Sequence, residues 1–378
     1  MKYTVLRIDE DIDFGCEERA ADAPVMAVVT IRNEDGVETK VRQIDQMLYD
    51  RDINVGDEVI INKKQELQKS FDDEDMDKLQ NGIAYYHLPG LFEFYELYRV
   101  FLPLFFEHRE YFYDWCEIGS IYGAPADCIW GGGRIGFGDH DPREVLELMR
   151  EYGISARLTF SNSLLREEHL LDKKCNALCA FFEESEEVRN GVIVHSDLLL
   201  DYLKIHYPSF YFVSSTTKVL TDFGQFLREV KRDDFLYVVP DFRLNKVFDQ
   251  WNMLSEAQKD KVEFLCNECC WVGCKDRKRC YEAVSRKNLG EDCPEHRCVA
   301  PDAKEGYRFS KAMKNPGFIG IDDIKNIYLP MGFSNFKIEG RGLGSALILE
   351  FLLYYMTKPE YHLQVREKIY LDNMLDLF

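Results

Sequence analysis

The 378-residue chain has no uninterrupted apolar run of the roughly 18 residues that a membrane span needs. It is also short of positive charge, with 47 Lys and Arg against 67 Asp and Glu. A field of that sign repels polyphosphate at long range, so neither an anionic membrane nor duplex DNA is the expected partner. The opening residues, Met1 to Asp9, run into charge too early for the apolar core of a secretory signal, and the expectation is a cytoplasmic protein. Several catalytic signatures are missing too. No Gly-x-Ser-x-Gly elbow, His-Glu-x-x-His pair or P-loop occurs, which removes the commonest hydrolase, metalloprotease and nucleotide-hydrolysing readings. Nor does spacing supply a nucleophile with a matching base, so proteolysis is not expected.

What the chain does have is cysteine, twelve in all. Thiols stay reduced in the cytosol, where clustered ones point to metal or redox chemistry rather than to a disulfide framework. Seven lie between Cys266 and Cys298. The other five, Cys16, Cys116, Cys128, Cys175 and Cys179, are scattered and expected to be small buried hydrophobes.

Residues 1–65 alternate apolar and polar side chains in short runs around a turn at Asn33-Glu34-Asp35-Gly36, which predicts a small antiparallel β domain of barrel-like form. Residues 66–114 read as a helical linker: an acidic run from Lys63 to Lys78, then an aromatic and leucine-rich helix broken near Pro103. From 115 to 378 one theme repeats, a short apolar run, a polar cluster, then a helical stretch. The apolar runs centre on Ile118, Leu158, Ile193, Phe212, Tyr237, Phe264, Ile319 and Phe336. Eight such units in about 240 residues fit a closed barrel. The expected fold class is therefore α/β, a (β/α)8 TIM-like barrel preceded by a small antiparallel β domain. Gly131-Gly132-Gly133-Arg134 reads as a tight turn or as an anion-binding or substrate loop.

In such barrels the active site lies at the C-terminal ends of the strands, so the polar residues that follow each apolar run should meet in one mouth. His195, Asp241 and Glu339 are the acid–base candidates there. Arg134, Asn162, Ser214, Lys218, Arg243, Asn267, Glu268 and Arg341 are the candidates for binding substrate. Taken one at a time, Ser, Asn and Asp at these places also serve as helix caps. Three arginines and a lysine together suit a small carboxylate- or phosphate-bearing ligand, because guanidinium forks bind those groups bidentately.

Cys266-Asn267-Glu268-Cys269-Cys270-Trp271-Val272-Gly273-Cys274-Lys275-Asp276-Arg277-Lys278-Arg279-Cys280, followed by Cys293-Pro294-Glu295-His296-Arg297-Cys298, makes metal binding the reading of this loop. Soft thiolates select zinc or iron–sulfur clusters, and spacing separates the two poorly. Iron–sulfur is preferred, because a barrel of this size folds without a zinc staple and the neighbouring Lys and Arg residues offset a cluster's negative charge. The expected ligands are Cys270, Cys274, Cys280 and Cys298, with Cys293 the main substitute. Cys269 is expected to point away and Cys266 to face the core.

The segment Ile321 to Arg341, ending Phe336-Lys337-Ile338-Glu339-Gly340-Arg341, resembles the seventh helix and eighth strand of the collagenase-like U32 peptidase family. Val262-Glu263-Phe264 before the cysteine loop also follows that family's order of features. The cysteine spacing differs, and the small β unit precedes the barrel instead of following it. The resemblance implies a barrel carrying a four-iron, four-sulfur cluster, with Glu339 and Arg341 in the pocket. It also implies oxygen-independent hydroxylation, of RNA bases or of a small molecule, with a carboxylate-bearing co-substrate. The competing expectation is a non-enzymatic RNA- or protein-binding module with a structural zinc site.

Overall fold

The computed structural model describes residues 2–10, 25–33, 36–50, 53–61, 66–69, 82–134, 139–183, 188–294 and 296–370. Cys16 and most of the run from Lys63 to Lys78 lie outside them. The chain divides after Gln80 into two compact units.

The first unit is a five-stranded antiparallel sheet of β1 (Lys2–Glu10), β2 (Met26–Asn33), β3 (Glu38–Ile44), β4 (Glu58–Ile61) and β5 (Leu67–Lys69), in the order β3-β2-β1-β4-β5. The alternation of β2 explains it, since Ala27, Val29 and Ile31 share one face and are buried with Val5, Val59 and Leu67. Helix α1 (Asp45–Asp50) adds Leu48 to that core. The sheet runs past residue 65 because Leu67, fully buried, belongs to the same apolar cluster.

The second unit is the barrel. Its strands are β6 (Ala84–Pro89), β7 (Cys116–Gly123), β8 (Ser155–Phe160), β9 (Gly191–Val194), β10 (Tyr211–Ser214), β11 (Tyr237–Val238), β12 (Glu263–Leu265) and β13 (Asn335–Lys337). All neighbours pair parallel, in the order β11-β10-β9-β8-β7-β6-β13-β12. A parallel bridge between Val238 and Val262 closes the ring, with the Val238 amide donating to the Lys261 carbonyl at 2.7 Å. Outward-facing residues such as Leu158, Val192, Phe264 and Phe336 join the large core beneath the helices. Tyr122, Ile193, Val213, Val239 and Leu265 fill the inside.

Two differences from the sequence reading concern where the barrel begins and which runs are strands. The first strand is Ala84–Pro89, inside the segment read as a helical linker. Conversely, Phe318-Ile319-Gly320-Ile321 is no strand. The Ile319 amide makes a bond to the Cys266 carbonyl at 3.0 Å, and Gly320 then leads into the helical turn Ile321–Asp323. Helix α2 (Tyr95–Glu107) also continues through Pro103, where a break was expected. Burial of Phe101, Leu102, Leu104 and Phe105 around the proline outweighs the one lost backbone bond.

Candidate metal and ligand site at the barrel mouth

The C-terminal ends of the strands open into a cavity of about 410 Å3. The turn after β7 carries Arg134 to it, made possible by Gly132. A Cβ built there would lie 2.2 Å from the Ser161 carbonyl oxygen. Gly132→Ala is expected to cost about 1–3 kcal/mol, by forcing the turn off the β8 end, and a thermal melt checks it.

Beyond β12 the chain stops being extended, and the loop is gripped from several sides. Arg243 donates to the Val272 carbonyl at 2.8 Å and to the Cys274 carbonyl at 2.7 Å. Asn315 donates to the Cys270 carbonyl at 2.9 Å, and Glu268 accepts from the Cys270 amide at 2.9 Å. The loop ends in helix α3 (Arg277–Asn288).

This path brings Cys269, Cys270, Cys274, Cys280 and Cys298 to the wall of one cavity. Cys269, expected to point away, is among them, in a stretch that is no longer strand. Cys293 does not line the cavity; its thiol faces the Ala283 carbonyl at 3.8 Å. Cys266 is fully buried. Around a single zinc, sulfurs each about 2.3 Å from the metal sit within roughly 4 Å of one another. Among the described residues, the metal-type donors this tightly gathered are Glu268, Cys269 and Glu339, within 4.8 Å, a set with one sulfur only.

Positive charge borders the thiols. Arg277 is 3% exposed, while Lys275, Lys278 and Arg279 face solvent. Its three guanidinium nitrogens are buried without an aligned acceptor, although Glu268 stands 2.5 Å away and Asp241 3.5 Å. Arg134 lies 3.5 Å from Glu268 and 3.8 Å from Glu339. Burial would raise the Glu268 carboxyl, but Arg277 and Arg134 outweigh it and hold the group at about 2. Burial and the Glu268 charge push Glu339 the other way, well above the ordinary carboxylate range. Burial pushes the Cys270 thiol up to about 11, with Arg277 pulling it down.

The other residues expected in the mouth divide into two groups. Arg341 lines the cavity with Glu339 and Arg134, its guanidinium fixed to Glu93 at 2.7 Å and to the Ala124 carbonyl at 2.8 Å. The rest hold the walls in place and do not line the cavity. Asn162 donates to the Ile129 and Ser285 carbonyls. Asn267 joins β12 to β13 by bonding the Glu339 backbone at both amide atoms. Ser214 points away to Glu229, which Lys218 also meets. Asp241 caps the turn after β11 and pairs with Arg243 at 2.8 Å. His195 contacts the Thr217 hydroxyl at 2.8 Å, and burial with the nearby Lys218 and Lys278 pushes it down to about 4, so it is neutral at pH 7. Thr159, Ser161, Ser215 and Thr217 supply the hydroxyl wall opposite, and Lys337 reaches the cavity from β13. Thr159 and Lys337 were not among the expected residues, although a two-residue period along β8 and along Lys337, Glu339 and Arg341 marks them.

Fold and site define a parallel (β/α)8 barrel whose mouth is lined by thiols and arginines. No family model matches the chain, and no curated protein matches it. A solved structure of a U32 peptidase is similar over 68% of this chain and 94% of that one, at 13% sequence identity and a TM-score of 0.43. Among the described residues no helix is long and apolar enough to cross a membrane.

Proposed function

We propose that the chain is an iron–sulfur enzyme of U32-like type that carries out oxygen-independent hydroxylation, or a related modification, of a small molecule or nucleobase with a carboxylate-bearing co-substrate. The observation that carries the reading is the gathering of Cys270, Cys274, Cys280 and Cys298 around one cavity beside Arg134 and Arg277. The donor set fits a cluster. Four thiols are the number such a cluster takes, and the Arg277 guanidinium beside Cys270 would offset part of its negative charge.

Bound there, a four-iron, four-sulfur cluster would supply one-electron chemistry at the end of the barrel. The protein's own groups do the rest. Arg134, whose side chain is 44% exposed and whose contacts with Glu268 and Glu339 are longer than those of the other two arginines, is the one best placed to turn toward an incoming carboxylate, since Arg341 is tied to Glu93 and Arg277 is enclosed. Glu339, its carboxyl raised by burial and by Glu268, faces the same cavity as an acid–base candidate. Ser161 and Thr159 present hydroxyls without partners.

Protein purified without oxygen is expected to be brown, with iron and acid-labile sulfide in equal amounts and a broad visible absorption that bleaches on reduction. A colourless protein carrying one zinc would overturn the reading in favour of a structural metal site.

A further inference from the structure

Beneath the mouth lies a cluster of buried charge that the proposed chemistry leaves unused. Glu263 on β12 meets Arg157 of β8 at 2.5 Å, Lys337 of β13 at 3.0 Å and His87 of β6 at 3.6 Å. All four are at most 4% exposed. The Lys337 ammonium also sits over the Tyr122 ring, 3.6 Å from its centre. Burial and the Arg157 charge push His87 down to about 3, so it is neutral. Arg341, the next cation toward the mouth, is matched by Glu93 at 2.7 Å. The cluster therefore holds two cations, Arg157 and Lys337, against one carboxylate. A closed barrel does not keep an uncompensated charge cheaply. Arginine cannot give up its proton, so the surplus falls on Lys337.

Of these four residues, Lys337 alone lines the cavity. Thr159, one step above Arg157 on the same face of β8, and Ser161, just past the strand's end, line it as well, and their hydroxyl oxygens are buried without hydrogen-bond partners. An amine at the floor, with unused donors on the facing wall, matches a ligand that has a carbonyl next to a carboxylate. We infer that Lys337 forms an imine with a 2-oxo acid bound in the cavity, the acid's carboxylate accepting hydrogen bonds from Thr159 and Ser161. The inference rests on the carboxylate-binding reading of the mouth and names the residue that would hold its ligand.

The step balances without an oxidant or reductant. The nitrogen lone pair adds to the keto carbon, and the carbon–oxygen π pair moves to oxygen. The carbinolamine then loses that oxygen with the two amine protons as one water, leaving a carbon–nitrogen double bond. Burial pushes the Lys337 ammonium down to about 8, which makes a nucleophilic free amine accessible near neutral pH.

The test is to incubate the full chain with pyruvate, add cyanoborohydride to reduce any imine to a stable secondary amine, and map the adduct by peptide mass. One reduced pyruvate on Lys337 is expected, absent from Lys337→Arg, which keeps a cation beside Glu263. Equal labelling of both proteins on surface lysines would overturn the inference. So would pyruvate bound in equilibrium dialysis with Lys337 unmodified, a result that leaves the carboxylate-binding reading intact. Iron and sulfide measured on the same sample decide the cluster separately from the adduct.

Discussion

Glu263→Ala is expected to destabilise the barrel by about 3–5 kcal/mol, because it removes the one carboxylate that faces two buried cations. Arg157 and Lys337 would then stand together in the buried interior, over the rings of Tyr211, Tyr237 and Tyr122, with no carboxylate between them. Equilibrium unfolding in urea measures the loss. Glu263→Gln keeps the shape and one hydrogen-bond acceptor, and should cost less than alanine. The pairwise origin of the effect is checked by adding Lys337→Met. In the Glu263→Ala background this change removes an unbalanced charge, so the double variant should be more stable than the two single losses summed. Simple addition would mean that packing, not charge, sets the cost.

The same cluster makes the fold acid-sensitive. Burial opposes the ionised form of Glu263, yet Arg157 and Lys337 outweigh it and hold the carboxyl well below the usual carboxylate range. Its contribution is therefore complete above the ordinary carboxylate pKa and disappears as pH falls through the folded value. His87 acts in the same direction at higher pH. Between about 6.5 and about 3 the unfolded chain binds a proton that the folded one refuses, so stability falls across that window. A melting profile against pH should decline on the acid side from near 6.5, and Glu263→Ala should remove its lowest-pH portion.

Much of this architecture was legible because parallel strands buried on both faces read as apolar runs, and because barrel chemistry gathers at their C-terminal ends. The run after Lys261 leads directly into the cysteine loop, and the loop does reach the mouth. The strand Ala84–Pro89 was not legible, since a short Ala-Tyr-Tyr-His-Leu-Pro segment beside a dense aromatic helix carries no period of its own. Phe318 and Ile319 imitated a strand because they are apolar for another reason, Phe318 packing on Tyr354 and Tyr355. The expected count of eight units thus held one absent strand and omitted one present. In the site, adjacency misled. Ser214 and Ser215 are neighbours, but their side chains take opposite faces, so Ser215 lines the cavity and Ser214 bonds Glu229 outside it. Asn162 and Asn267 looked like ligand contacts and instead satisfy backbone carbonyls where loops leave the sheet. Lys337 was hidden inside a signature read as a string, when its alternation with Ile338 already placed it indoors.

Replacing the cavity cysteines one by one should divide them sharply. Cys270→Ser, Cys274→Ser, Cys280→Ser and Cys298→Ser are each expected to lose most of the bound iron and the visible absorption, since a serine oxygen is a hard, weak substitute for a thiolate. Cys293→Ser should keep both, because that thiol lies off the cavity against the Ala283 carbonyl. The informative case is Cys269. Its sulfur lies within 4.8 Å of donor oxygens of both Glu268 and Glu339, so a thiolate there would crowd a third acidic group into one space. Cys270, with Arg277 favouring its ionised form, is the better ligand, and Cys269→Ser is expected to retain its iron. Iron held by Cys270→Ser and lost by Cys269→Ser would exchange the two in the ligand set and give Arg134, the cation that meets both Glu268 and Glu339, the role assigned to Arg277. Full iron in all four of the first group would remove the cluster from this cavity altogether.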